Sequence, residues 1–239
     1  MLILKNLTKT YGETQAVSHL NLKVEPGELF GFIGPNGAGK TTTIKLIVGL
    51  LRPTEGTVSL NGLDVQRDPE RVKAMIGYIP DTPFLYDSLT GREFLRFVGG
   101  LFRVEEKKAR EKMEELMDLF EMRDWIDSRI SDYSHGMRQK TIIASALLHD
   151  PKVLLVDEPM VGLDPKSSRI VKGIFLEMTQ KGKIVFLSTH TLSLAEEITT
   201  RVGMINSGKL VALGSVGELK ERAGLQKGTL EEAFFRLTM

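Results

Sequence analysis

Eight residues, Gly34-Pro35-Asn36-Gly37-Ala38-Gly39-Lys40-Thr41, have the types and spacing of a loop that wraps a chain of phosphates. The glycines let the backbone curl tightly and turn its N–H groups inward. A helix opening near Gly39 adds unpaired N–H groups and the positive end of its dipole. Lys40 is then expected on the β- and γ-phosphates, the Thr41 hydroxyl on Mg²⁺, and Thr42 within reach of the α-phosphate. The competing reading is a chance glycine-rich turn, which has no reason to sit between a strand and a helix. The pattern implies that a nucleoside triphosphate is bound with magnesium, and points to its hydrolysis.

A second group lies far downstream. In Val153-Leu154-Leu155-Val156-Asp157-Glu158-Pro159 an apolar run delivers two carboxylates to what would be a strand's C-terminal end, where ligands of open α/β sheets sit. Asp157 suits magnesium through a coordinated water, because Mg²⁺ is hard and gives up its waters reluctantly. Glu158 suits a general base for attacking water. Alone, such a strand is equally one that enters a polar turn; the phosphate loop in the same chain favours chemistry. Phosphate loops serve GTPases, kinases, recombinase-like ATPases and transport ATPases, so these two motifs fix the ligand and leave the task open. The chain has no Asn-Lys-x-Asp motif for reading guanine.

The elements that must position these residues follow from periodicity. Glu28 to Ile33 is a short apolar run before the loop, and Thr41 to Leu51 after it has Ile44, Ile47 and Val48 on one helical side. Similar strands are expected at Thr57 to Leu60, Met75 to Ile79, Val153 to Val156 and Ile184 to Leu187. The alternation predicts an α/β domain with a mostly parallel central sheet. From Thr90 to Asp132 the pattern turns helical, with Ala109, Met113, Leu116, Met117 and Phe120 as one stripe, and this is read as an inserted helical subdomain. The charge run Glu105 to Lys108 is read as a solvated face. Ile170, Val171, Ile174, Phe175 and Met178 form the buried side of a core helix, and Val202 to Val211 a hairpin around Asn206-Ser207-Gly208.

Composition limits the partners. The 239 residues suit one large domain or a core with an insertion. Lys+Arg 32 against Asp+Glu 31 leaves no global field to steer the chain onto nucleic acid, and no nucleic acid is expected as a partner. The absence of cysteine excludes disulfides and thiolate metal sites and fits a reducing compartment. The N-terminus is read as mature, and no apolar run approaches the ~20 residues of a membrane helix.

Further residues decide the task. The chain resembles the ATP-binding cassette (ABC) family from Leu2 to about Gly217, and its variants are similar to exporter-type cassettes of bacteria that work with separate membrane subunits. Tyr11, in Lys9-Thr10-Tyr11-Gly12, matches the family's adenine-stacking aromatic. Tyr133-Ser134-His135-Gly136-Met137 occupies the signature position before a helix, where Ser134 and the N–H of Gly136 suit the γ-phosphate of ATP held by an opposite subunit. Gly162-Leu163-Asp164-Pro165 resembles the loop that crosses the dimer interface, and locally it is also a helix lead-in capped by Asp164. His190, in Leu187-Ser188-Thr189-His190, matches the switch histidine that contacts the γ-phosphate and the attacking water.

The signature departs from the commoner Leu-Ser-Gly-Gly-Gln, and Asp81 replaces the usual glutamine after Gly77-Tyr78-Ile79-Pro80. Asp81 can still accept magnesium waters but lacks the amide donors. The resemblance implies a P-loop NTPase core with a mostly parallel central sheet, an N-terminal antiparallel β subdomain and the inserted helical subdomain. The ABC ATPase domain is expected over 1–218 (core about 1–84 and 136–218, helical subdomain about 85–135), with a short helical extension over 219–239. It also implies a membrane-peripheral ATPase subunit on the cytoplasmic face, working with a second cassette and a transmembrane permease. The surface around Asp81 to Tyr86 and the inserted helices, where Phe84, Leu85 and Tyr86 are apolar for a loop, is expected to dock that permease; the alternative is that these side chains pack internally. The alternatives are a soluble cassette protein of translation or DNA maintenance and a regulatory cassette uncoupled from transport.

Overall fold

The computed structural model describes residues 1–225 and 227–238. The chain opens with β1 (Leu2–Tyr11) and β2 (Thr14–Val24), antiparallel and tightly turned at Gly12, with Leu2, Leu4, Leu7, Leu20 and Val24 buried along one face. Then come β3 (Leu29–Ile33), buried at every position, and α1 (Lys40–Val48), which ends on Gly49 at φ +75°. A left-handed residue of this kind ends helices, and glycine bears no Cβ penalty there.

The next strands, β4 (Glu55–Leu60) and β5 (Leu63–Asp64), complete a four-stranded antiparallel sheet in the order β2-β1-β4-β5. The strand expected around Thr57 to Leu60 therefore belongs to this sheet and not to the parallel one. Its residues explain why: Val58 and Leu60 point inward and alternate with more exposed Thr57 and Ser59. That is the one-sided pattern of an antiparallel strand, whereas parallel strands are buried on both faces.

After α2 (Pro69–Lys73) and β6 (Ile76–Ile79) the chain becomes helical, with α3 (Gly91–Leu101), α4 (Glu106–Leu119) and, beyond a short 3₁₀ turn at Ile130–Asp132, α5 (His135–Leu147). Thr90 and Glu93 cap α3 reciprocally, satisfying two orphan N–H groups. Met113, Leu116, Met117 and Phe120 are buried as the stripe predicts, and Ala109 is half-buried. Glu105 to Lys108 are exposed, with Lys108 paired to Glu105 at 3.1 Å.

The chain then builds β7 (Val153–Asp157), α6 (Pro165–Gln180), β8 (Ile184–Thr189), α7 (Leu192–Ile198), the hairpin β9 (Arg201–Asn206) and β10 (Lys209–Gly214), α8 (Val216–Arg222) and α9 (Leu230–Thr238). The second sheet has the order β10-β9-β3-β8-β7-β6, parallel except for the β9–β10 pair. The hairpin turns on Ser207 and Gly208, both at positive φ. Of the expected extension 219–239, Gln226 and Met239 lie outside the described residues. Among the described residues no helix is long and apolar enough to cross a membrane.

Candidate nucleotide site

Three neighbouring strand ends of the parallel sheet carry the expected residues. β3 leads into the 34–41 loop, β7 ends at Asp157, and β8 lies between them and ends at Thr189. The glycines of the loop answer to two demands. A Cβ on Gly34 would lie 2.2 Å from the carbonyl oxygen of Ile205, so this glycine is required by the packing of the loop against β9. At Gly37 (φ +79°) a Cβ would meet nothing within 4 Å, so the space beside it is open and only the left-handed backbone favours glycine. Among the described residues no hydrogen bond takes up the N–H of Asn36, Gly37 or Gly39. The first turn of α1 adds N–H groups that have no intrahelical acceptor. This donor set suits an anionic chain of phosphates.

Lys40 folds over the loop, its ammonium donating to the carbonyls of Gly34 (2.7 Å) and Pro35 (3.1 Å). Burial lowers its pKa, while Glu158 and Asp157 pull it back up. Thr41 donates its hydroxyl hydrogen to Oδ2 of Asp157 at 2.7 Å. Thr42 follows half-buried on the first turn of α1. Asp157 is 1% exposed and its Oδ1 accepts from Ser188 at 2.8 Å. Burial raises its pKa, the two hydroxyl donors oppose that, and the charges of Asp81 and Glu158 add to the rise. Burial first, and then the charges of Asp157 and Asp81, push the Tyr78 hydroxyl up to about 12.

Glu158 has φ +49°, a strained conformation for a residue with a side chain. Its N–H donates to the carbonyl of Ser188 at 3.0 Å, which holds the turn. Its carboxylate gathers three donors from the end of β8 and the residue after it: the Thr189 hydroxyl at 2.9 Å, the His190 N–H at 2.7 Å and the His190 ring at 2.6 Å. Because a carboxylate accepts, the ring donates through Nδ1–H.

The other expected residues lie around this centre. Tyr11 is 47% exposed at the end of β1, with the Lys9 ammonium 5.2 Å from its ring centre. Asp81 is exposed and accepts from the N–H of Thr82 at 2.7 Å. Ser134 caps α5, accepting from the Met137 N–H at 3.3 Å. Gly136 packs toward the carbonyl of Gly162, and Asp164 caps α6 through Ser167, which holds its pKa down at about 2. Among the described residues no hydrogen bond joins Ser134 or Gly136 to the 34–42 segment. The chain thus brings Lys40, Thr41, Asp157, Glu158 and His190 together and keeps Ser134 and Gly136 apart from them.

Sequence reasoning missed Ser188 and Thr189 as members of the site. The available signal was a pair of hydroxyl residues closing an apolar strand just before His190; their acceptors became visible only with the β7–β8 register, which pairs Asp157 with Ser188.

The profile of the ABC transporter family matches residues 17–161. An uncharacterized ABC transporter ATP-binding protein of Nostoc sp. is 40% identical over 201 residues, 83% of this chain, and the chain spans 59% of that relative's length. A solved structure of the ATP binding subunit of an ABC transporter superposes with a TM-score of 0.96 at 33% identity, covering 100% of each chain. A dimeric ATP-binding cassette in a post-hydrolysis state, bound to ADP and Pi, matches with a TM-score of 0.82 at 27% identity over 90% of this chain and 98% of the other. With the loop, the Asp157-Glu158 strand and both sheets in agreement, this chain belongs to the ABC transporter family, as one of its ATP-binding ATPase domains.

Proposed function

We propose that this chain is the ATP-hydrolysing subunit of a transporter, pairing head to tail with a second cassette and driving a separate transmembrane permease at the cytoplasmic face of the membrane. The observation that carries the reading is the bond from Thr41 to Asp157, with Glu158 next in sequence and held by His190. The N–H groups of the 34–42 segment and Lys40 bind the phosphates, and Tyr11 receives the adenine. Thr41, Asp157 and Asp81 supply the oxygens for Mg²⁺, whose contribution when bound is to neutralise charge on the β- and γ-phosphate oxygens. Glu158 accepts a proton from water as its oxygen attacks the γ-phosphorus, the bond to the β-phosphate oxygen breaks, and ADP and phosphate leave. His190 orients that water and the γ-phosphate.

Ser134 and Gly136 serve the ATP of the opposite cassette, which accounts for their separation from this chain's own loop. The proposed division is an ATPase core over 1–84 and 136–218, a helical subdomain over 85–135 and an extension over 219–239. An aromatic cluster favours the coupled reading over a soluble or regulatory cassette: Phe84 is 76% exposed and Tyr86 47%, with Tyr86 edge-on to Phe84 and Phe97, whereas Leu85, expected on the same surface, packs into the core and drops out of it. Contiguous exposed aromatics of this kind mark docking surfaces. Steady-state ATP turnover of the protein against its Glu158→Gln form tests the enzyme. Faster wild-type turnover, with an ATP-stabilised dimer of the variant in light scattering, is expected; equal turnover refutes hydrolysis.

A further inference from the structure

Thr189, the last residue of β8, is fully buried, and its hydroxyl has two partners. It donates to Oε2 of Glu158 at 2.9 Å and accepts from the N–H of Thr191 at 3.0 Å. The second bond orients the first, because a hydroxyl that accepts on one side has its hydrogen turned to the other. Oε1 of the same carboxylate is saturated by the N–H and ring of His190, at 2.7 and 2.6 Å. A carboxylate has about four lone-pair directions; with two taken on Oε1 and one on Oε2, a single acceptor direction on Oε2 is left.

Strand propensity does not call for this hydroxyl. Valine is nearly isosteric with threonine, is equally β-branched, and would be buried at a strand end without needing a partner. Threonine brings a polar group into a fully buried position, which costs free energy unless it is hydrogen-bonded, and here the bond goes to Glu158. We infer that Thr189 is a positioning residue for ATP hydrolysis, fixing the plane of the Glu158 carboxylate so that its one remaining lone pair is the one that takes the proton from water. The inference rests on the hydrolytic reading of Glu158. Thr189 acts through Glu158, to whose carboxylate its hydroxyl donates.

The test compares steady-state turnover of wild type, Thr189→Val, Thr189→Ser, Glu158→Gln and the Val/Gln double variant, alongside fluorescent ATP-analogue affinity and melting temperature. Thr189→Val is expected to lower kcat about tenfold while KM and analogue affinity stay within about threefold, since mispositioning a catalytic group costs rate and not binding. Thr189→Ser restores kcat, and in the Glu158→Gln background the valine substitution changes the residual rate less than about twofold, because residues that act as one unit are non-additive. If Glu158→Gln turns over as fast as wild type, the hydrolytic reading fails and this inference falls with it. If wild type exceeds Glu158→Gln, the inference is overturned by any of three results: Thr189→Val with wild-type or higher kcat, serine failing to restore it, or the same fractional loss in the glutamine background.

Discussion

The hydroxyl of Thr41, on the first turn of α1, donates to the buried carboxylate of Asp157, at the end of β7, at 2.7 Å. This bond sets the two oxygen donors of the proposed magnesium site side by side. Thr41→Val keeps the shape and removes the oxygen. In a fluorescent-nucleotide titration with and without chelator, the variant is expected to lose about tenfold or more of the magnesium-dependent gain in ATP affinity, comparable to losing one charge-assisted contact. Its affinity without magnesium should stay within about threefold, since the loop's N–H groups are untouched.

Gly34 and Gly37 separate stability from binding within one motif. Gly34→Ala drives a Cβ to 2.2 Å from the Ile205 carbonyl oxygen, a contact with backbone that no side-chain rotation relieves. Overpacking of this kind costs about 2–3 kcal/mol, which lowers Tm by about 5–10 °C in a chain of this size. Gly37→Ala meets no neighbour and bears only its left-handed backbone, φ +79°, about 1 kcal/mol. Its new methyl stands in the open space beside the loop. Thermal melts and nucleotide titrations are expected to rank the two in opposite order: Gly34→Ala worse in stability, Gly37→Ala worse in ATP affinity per unit of stability lost.

How much of this could be read before folding depends on the range of each interaction. The 34–41 loop and the Asp157-Glu158 strand were legible because their chemistry is contained in a few consecutive residues behind an apolar run. The β1–β2 pair was not legible from periodicity, because its register shifts between Leu4 and Leu7 and again beyond, and Asn6 and His19 take positive φ there, which breaks the period-two pattern. Thr57 to Leu60 was legible as a strand but not as to its sheet, since pairing with β1 is a long-range choice. Ser188 and Thr189 acquire their acceptors only through the parallel register of β7 and β8.

The exposed aromatics on and before α3 predict a division between hydrolysis and transport. Tyr86 contacts Phe84 and Phe97 with ring centres 6.0 and 5.7 Å apart, and all three are exposed. Tyr86→Glu places a charge in the centre of that surface, and a charge left unpaired in a desolvated interface costs several kcal/mol. ATP-analogue affinity should remain within about twofold, because among the described residues no ring contact or hydrogen bond joins Phe84, Tyr86 or Phe97 to the phosphate loop. Co-purification with the proposed membrane subunit and substrate transport are expected to be lost together; retained transport removes this surface from the proposed docking interface.

His149, just beyond α5, gives the fold a pH dependence whose sign follows from its surroundings. Its ring stacks on Phe102 at 3.7 Å between centres, Nε2–H donates to the Ile76 carbonyl at 3.0 Å, and the buried Nδ1 has no partner among the described residues. Burial lowers its pKa below 6.5; the Ile76 carbonyl and Asp150 oppose the shift, and Lys183 adds to it. A histidine held neutral by the fold contributes stability that is complete above its unfolded pKa and is lost as pH falls through the lower folded value, because the unfolded chain then binds the extra proton. The melting temperature should therefore fall more steeply between pH 7 and 5 in wild type than in His149→Phe, which keeps the stacking and removes the titration. At pH 7.5 the variant is expected to be less stable by about 1 kcal/mol, since the Ile76 carbonyl loses its donor, so the two melting curves should converge as the pH is lowered. Parallel curves across that range would show that His149 does not contribute this pH dependence.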